Sequence, residues 1–166
     1  MQQNNTEKPN VYKANFMLQQ KVGSGPMDER IVQQSQKVID ENDVDFTPLG
    51  LEFLNKLESA IKVALDTNVD MKIRKHGLTS PVMELKANAS IFGYPLIGNL
   101  ANIMLSFLEA IDEIDANAVE IVNAHHKTLH AIVVKKMKGD GGEHGAIFTS
   151  ELKDACARYF ARRQKK

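Results

Sequence analysis

Cysteine is nearly absent from this sequence, which holds Cys156 and no second thiol among its 166 residues. A disulfide bond within the chain is therefore excluded, and with it the cross-linked framework of many small secreted domains. Long apolar runs are also missing, since no window approaches the roughly 20 apolar residues that a membrane-spanning helix needs. Residues 1–5 are polar and lack the pattern of a secretory signal. We therefore expect a cytoplasmic protein without a membrane-spanning segment.

A charge excess of either sign is absent as well, because 21 basic residues balance 21 acidic ones. A domain that binds duplex nucleic acid normally has a clear positive excess, since lysine and arginine displace the counterions of the phosphates. A short basic group does occur at the carboxyl end: Arg158, Arg162, Arg163, Lys165 and Lys166. Positive charge there favours the dipole of a terminal helix. We expect no nucleic-acid partner.

The residues that are present suit a single helical domain. Hydrophobic residues make up 43% of the chain, which supplies one core at this length. Residues 1–25 are polar and irregular, and they end within a Gly-Ser-Gly-Pro segment at 23–26. We predict an N-terminal arm over residues 1–25 and a helical domain over residues 26–166.

Apolar residues recur every three or four positions through most of that domain, which predicts amphipathic helices. The predicted helices cover residues 28–39, 47–66, 80–93, 96–115, 118–139 and the chain from about 150 onward. The second and third begin at Thr47-Pro48 and Ser80-Pro81, each interpreted as an N-cap followed by a proline whose missing N–H costs nothing. Residues 139–142, Gly-Asp-Gly-Gly, are predicted to be a flexible loop that ends a helix. Short connections between long helices predict an all-α, antiparallel bundle.

The third predicted helix has two distinct faces when it is projected at 100° per residue. One face is apolar and is expected to point into the core: Leu78, Val82, Leu85, Ala89 and Phe92. The other face carries Met83, Lys86, Ala87 and Ser90. Its small residues would let another protein approach the helix closely, and its lysine would offset a nearby negative charge. An ordinary solvated helix face is the alternative interpretation.

Residues 83–93, Met-Glu-Leu-Lys-Ala-Asn-Ala-Ser-Ile-Phe-Gly, resemble the signature of histidine-phosphotransfer (HPt) domains. In that signature a histidine is followed by leucine, lysine and a small residue, usually glycine, two, three and four positions later, and by glycine ten positions later. Leu85, Lys86, Ala87 and Gly93 occupy those places, with alanine in place of the usual glycine.

Further segments at 92–96, 108–109 and 124–125 resemble an alphaproteobacterial HPt-like subgroup. The resemblance spans roughly residues 22–135. It implies an antiparallel four-helix bundle of HPt type, to which this chain adds an N-terminal arm or helix and a C-terminal helix.

The place of the acceptor histidine is held by Met83, and this is the main departure from the signature. A thioether has no exchangeable proton and cannot form the phosphoramidate through which such domains relay a phosphoryl group. The resemblance therefore implies a non-catalytic signalling module without a cofactor. Its partner would be a receiver domain or a histidine-kinase-related protein, bound through Met83, Lys86, Ala87 and Ser90.

Two other functions remain open. His76 lies seven residues before Met83 and would be a displaced phosphoacceptor in an active phosphorelay protein. However, Gly77 and Ser80-Pro81 are expected to interrupt any helix that joins the two positions. The third candidate is a structural bundle that associates with a second copy of itself through exposed apolar residues.

The remaining histidines and the cysteine are predicted to be structural. His126 and His130 have the four-residue spacing of two metal ligands on a helix, but no third ligand completes a motif, so we expect no metal site. His125 falls on the apolar side of the fifth helix and is expected to be buried. Cys156 is expected to pack rather than to react.

Overall fold

The computed structural model describes residues 28–41 and 44–163, together with Met17, Lys21 and Gly23, and only the backbone of residues 39 and 40. The predicted arm over residues 1–25 therefore lies outside the described residues, apart from those three. The chain divides into two compact units, residues 1–37 and 38–166. Of the helices described, none combines the length and the apolar character that crossing a bilayer requires.

The all-helical prediction is confirmed: residues 28–41 and 44–163 form six helices and no strand. The helices are α1 (Glu29–Asp40), α2 (Thr47–Val63), α3 (Met71–Ala89), α4 (Pro95–Ala110), α5 (Ala116–Val134) and α6 (Gly142–Arg163). Most of α1 belongs to the first unit. At the start of this helix, the side chain of Asp28 accepts a hydrogen bond from the N–H of Arg30. The other five helices lie in the second unit.

Helices α2 to α5 form a closed ring of neighbours, because α2 and α4 each pack against both α3 and α5, and α6 packs against α4 and α5. Long-range contacts show the antiparallel order. The ammonium of Lys75, near the start of α3, donates to the carbonyl of Ile111, just after α4. Asp45, ahead of α2, pairs with Lys136, which follows α5. The second unit is therefore an antiparallel helical bundle.

The bundle core consists of apolar side chains that face inward from all five helices. Leu54, Leu78, Leu100 and Leu129 have no exposed surface. Burying each side chain of this size contributes about 1.5–3 kcal/mol. The same positions are those that the three- and four-residue spacing selects, so the periodic pattern of the sequence identified the core.

Helix α3 begins at Met71, nine residues before the predicted start at Ser80. The side chain of Asp70 caps it by accepting a hydrogen bond of 2.8 Å from the N–H of Lys72. Pro81 lies inside the helix rather than at its start, and its ring is buried. A proline in a helix forfeits one backbone hydrogen bond. Burial of the ring in the core offsets that loss, and the prediction of a break at residues 80–81 was wrong.

Helix α2 begins at Thr47, as predicted, but Thr47 does not cap it. The capping position is held by Phe46, whose side chain makes no capping hydrogen bond. Instead, a carboxylate oxygen of Asp45 accepts a hydrogen bond of 3.0 Å from the N–H of Thr47. This bond, together with Lys136, lowers the pKa of Asp45 to about 2.

Helix α6 begins at Gly142, eight residues before the predicted position, and α5 ends at Val134 instead of residue 139. The segment between them is attached to the α3–α4 turn. The N–H of Gly139 donates to the carbonyl of Gly93 at 2.8 Å, and the carbonyl of Gly139 accepts from the N–H of Leu96 at 3.3 Å. The glycine-rich segment is therefore anchored at one end and helical at the other, instead of the flexible loop that its composition predicted.

Candidate functional site

A groove of about 700 Å³ runs between α3 and α4 on the outside of the bundle. We call it the α3–α4 face. It is lined by Lys72, Lys75, His76, Thr79, Met83, Lys86, Ala87 and Ser90 on the α3 side and by Asn102, Leu105, Ser106 and Glu109 on the α4 side. All four residues that the sequence proposed for partner binding line this one groove.

The spacing of the α3 residues explains why they share a face. Positions 72, 76, 79, 83, 86 and 90 alternate between steps of four and three, which keeps them on one side of a helix. If this side of α3 packed into the core, these positions would be apolar. Here Met83 is the only large apolar side chain among them, and the others are cationic, imidazole or hydroxyl groups.

Met83 points outward from the middle of α3. Its side chain is 59% exposed, whereas Leu85, two residues further, is 1% exposed. The residues one turn away on either side, Thr79 and Ala87, are short, so the thioether stands above its surroundings. Met83 therefore points outward, as the helical projection predicted.

Cations dominate the α3–α4 face. Its lining includes three ammonium groups, those of Lys72, Lys75 and Lys86, and one carboxylate, that of Glu109. The ammonium of Lys86 donates to the side-chain oxygen of Asn102 at 2.8 Å, which holds it over the groove. The ammonium of Lys75 donates to the carbonyls of Glu109 and Ile111 at the end of α4, at 3.2 and 3.1 Å. A face of this charge attracts an acidic partner.

His76 belongs to the same face, which the sequence prediction did not expect. The helix is continuous from Met71 to Ala89, so His76 lies two turns, or about 10.5 Å along the axis, before Met83. Its imidazole is exposed. The sequence predicted a break between His76 and Met83 because Gly77 and Pro81 both disfavour helix when the contacts of neighbouring helices are ignored.

The other histidines form no metal site. The rings of His126 and His130 are 6.1 Å apart, but Nε2 of His126 lies 3.1 Å from the carbonyl oxygen of Leu54. Within residues 28–41 and 44–163, no group of three His, Cys, Asp or Glu side chains is placed to hold a metal ion.

His125 is buried, as predicted, with Nδ1 2.9 Å from the carbonyl oxygen of Ile121. Its Nε2 is buried without a hydrogen-bond partner. Burial lowers the pKa of the imidazole, because the charged form would lose its hydration.

The carboxyl end of α6 forms a second cleft with the start of α5, which the sequence did not reveal. Arg163 contacts the carboxylates of Glu113 and Asp115 and the hydroxyl of Tyr159. Arg163, one residue of the predicted basic end, therefore helps to hold the α4–α5 connection in place. Cys156 is buried on the inner side of α6, and burial raises the pKa of its thiol to about 11, which makes it unreactive.

Comparison with protein-family models, with curated proteins and with solved structures found no match for the chain. The thioether at the centre of the α3–α4 face neither accepts a proton nor acts as a phosphoacceptor. The face therefore combines an exposed apolar centre with a polar, mostly cationic rim, and protein–protein interfaces likewise have an apolar core and a polar rim.

Proposed function

We propose that this protein is a non-catalytic, HPt-like signalling module. It would dock a receiver domain, or another two-component protein, on the α3–α4 face without relaying a phosphoryl group at residue 83. One observation carries the proposal: Met83 is exposed in the middle of a long, continuous helix, at the place that the HPt signature gives to its acceptor histidine.

The arrangement of the bundle supports this proposal. Helices α2 to α5 pack around buried apolar side chains, and α3 presents position 83 on its outer side. A four-helix bundle of HPt type requires these features. Helices α1 and α6 would then be the additions to that bundle which the resemblance implied.

The chemistry of the face supports a binding role. A methionine side chain is flexible and polarizable, so it adapts to apolar surfaces of different shape. Ala87, one turn further, leaves the backbone of α3 accessible to a partner. Lys86 is held by Asn102 beside this apolar centre and would pair with an acidic group of the partner.

The direct test is titration of the full chain with purified receiver domains by calorimetry. The variant Lys86→Glu/Ala87→Glu reverses one charge and places a bulky acid beside Met83. We expect it to weaken docking by at least about tenfold, which corresponds to 1.4 kcal/mol.

The matched control is Ala124→Glu/Lys127→Glu, which makes the same two changes on exposed positions of α5. It should bind like the unmodified chain. Equal affinity of all three proteins, or equal loss in both variants, would contradict docking at the α3–α4 face. Sedimentation of the chain alone would reveal whether a second copy occupies the face instead.

A second candidate is supported by the position of His76. Because α3 is continuous, this exposed imidazole shares the face of Met83 and would be the phosphoacceptor. Incubation with a phosphorylated receiver, followed by mapping of acid-labile label, tests this function. Label on His76 that disappears in His76→Gln would establish a phosphorelay protein, and the absence of label on any histidine would exclude it.

A further inference from the structure

Met83 differs from the core methionine in its access to solvent. The side chain of Met83 is 59% exposed, whereas that of Met104 in α4 is fully buried. Thr79 and Ala87 are too short to shield the sulfur. A thioether in such a position is open to oxidation, which converts an apolar side chain into a polar sulfoxide.

The groove around Met83 also contains groups that suit the product. Lys86, one turn from Met83, lines it with an ammonium donor, and Ser106 of α4 lines it with a hydroxyl donor. A sulfoxide oxygen is a hydrogen-bond acceptor, so these donors would stabilise it where they do little for a thioether. The core face of α3 is not involved, because Val82 and Leu85 point to the other side.

We infer that Met83 is a peroxide-sensitive modification site that switches the α3–α4 face between an apolar and a polar centre while the bundle stays folded. Hydrogen peroxide transfers one oxygen atom to the sulfur. A sulfur–oxygen bond forms, the peroxide O–O bond breaks, the sulfur loses two electrons and the second peroxide oxygen leaves as water. Methionine sulfoxide reductases reverse the change. The effect on docking rests on the proposed function, whereas the oxidation itself does not.

The first experiment treats the full chain with hydrogen peroxide and maps sulfoxides by mass spectrometry over time. We expect Met83 to be oxidised at least about tenfold faster than Met104, because the reaction requires access to the sulfur. Helical circular dichroism and the unfolding temperature should stay unchanged at full conversion of Met83, and methionine sulfoxide reductase should restore the thioether. Equal oxidation rates of the two methionines, or unfolding on oxidation of Met83, would overturn the inference.

The second experiment compares docking of a receiver domain before and after oxidation. Oxidation should weaken docking by about tenfold, since the apolar contact of one side chain is lost. Met83→Leu keeps an apolar centre and cannot be oxidised there, so its docking should resist peroxide. Met83→Gln should dock as weakly as the oxidised chain. An unchanged affinity after full oxidation would overturn the switch. Absence of docking by the reduced chain would refute the proposed function instead, and the oxidation rates would still be judged on their own.

Discussion

The carbonyl oxygen of Asp140 occupies the space that a Cβ atom on Gly145 would need. Gly145 is buried in the first turns of α6, and the side chain of Leu96 would lie 3.3 Å from the same Cβ atom. The segment that precedes α6 can therefore fold back against the helix only because residue 145 has no side chain.

Substitution of this glycine should destabilise the bundle. We expect Gly145→Ala to lower the free energy of unfolding by about 2–3 kcal/mol, because the backbone at Asp140 must move. Gly98→Ala is the matched control, since a Cβ atom at Gly98 in α4 meets nothing within 4 Å. It should raise the free energy of unfolding by about 0.5–1 kcal/mol, because alanine favours helix over glycine. Denaturation followed by circular dichroism measures both, and similar values for the two variants would contradict the close approach at residue 145.

The cap of α3 makes a separate prediction. Asp70→Ala removes the acceptor of the 2.8 Å hydrogen bond from the N–H of Lys72 and should cost about 1 kcal/mol of unfolding free energy. Asp70→Asn retains a side-chain oxygen and should cost only a few tenths of a kcal/mol. The measurement is denaturant unfolding of the three proteins. An alanine variant as stable as the original would mean that the helix does not begin at Met71.

The buried imidazole of His125 predicts a loss of stability in acid. Burial holds its pKa below the ordinary value of 6.5. As the pH falls below that value, the unfolded chain takes up a proton that the folded chain resists, so the free energy of unfolding decreases until the pH passes the folded-state pKa. Half-burial of His126 lowers its pKa and acts in the same direction. Unfolding measured between neutral and mildly acidic pH should show this decrease.

The contribution of His125 to this loss of stability in acid can be measured by substitution. His125→Leu fills the same space without a titrating group, so its stability should fall less with acid than that of the unmodified chain. Val122→Ala, another core change in α5, should be less stable at every pH but keep the original pH dependence. If His125→Leu lost as much stability in acid as the unmodified chain, a buried neutral His125 would be refuted.

The docking proposal also predicts a gain of function. Met83→His would place an imidazole at an exposed position between short side chains, with Lys86 one turn away, and it should accept a phosphoryl group from a phosphorylated receiver. The measurement is acid-labile label mapped to residue 83. Ser59→His, on an exposed position of α2, should remain unlabelled under the same conditions. Docking of Met83→His without any label would show that the receiver does not place its phosphoryl group at this position.

The predictions that succeeded depended on contacts between residues near each other in sequence. The apolar spacing in α4 placed Leu96, Leu100, Met104 and Leu108 on one side, and all of them are buried. The same reasoning placed Met83 outward and His125 inward. Periodicity of this kind is a property of one helix, and it holds whichever helix packs against it.

The predictions that failed concerned residues with weak or contrary local preferences. Residues 71–80 contain glycine and several cations, and proline follows, so their helical state was not expected. It depends on the Asp70 cap, on Arg74, which donates to the carbonyls of Ala64 and Val69, and on burial of Pro81. The hydrogen bond from Arg74 to Ala64 requires that α2 is in place, and the burial of Pro81 requires that the core is in place.

The sequence by itself therefore determined the helical class, the inward side of helices such as α4 and the outward position of Met83, because side-chain spacing along a helix is a local quantity. Only the tertiary structure decided that His76 shares the face of Met83 and that α6 begins at Gly142. Those outcomes arise where packing between distant segments, such as Gly145 against Asp140, outweighs the conformational preference of the residues themselves.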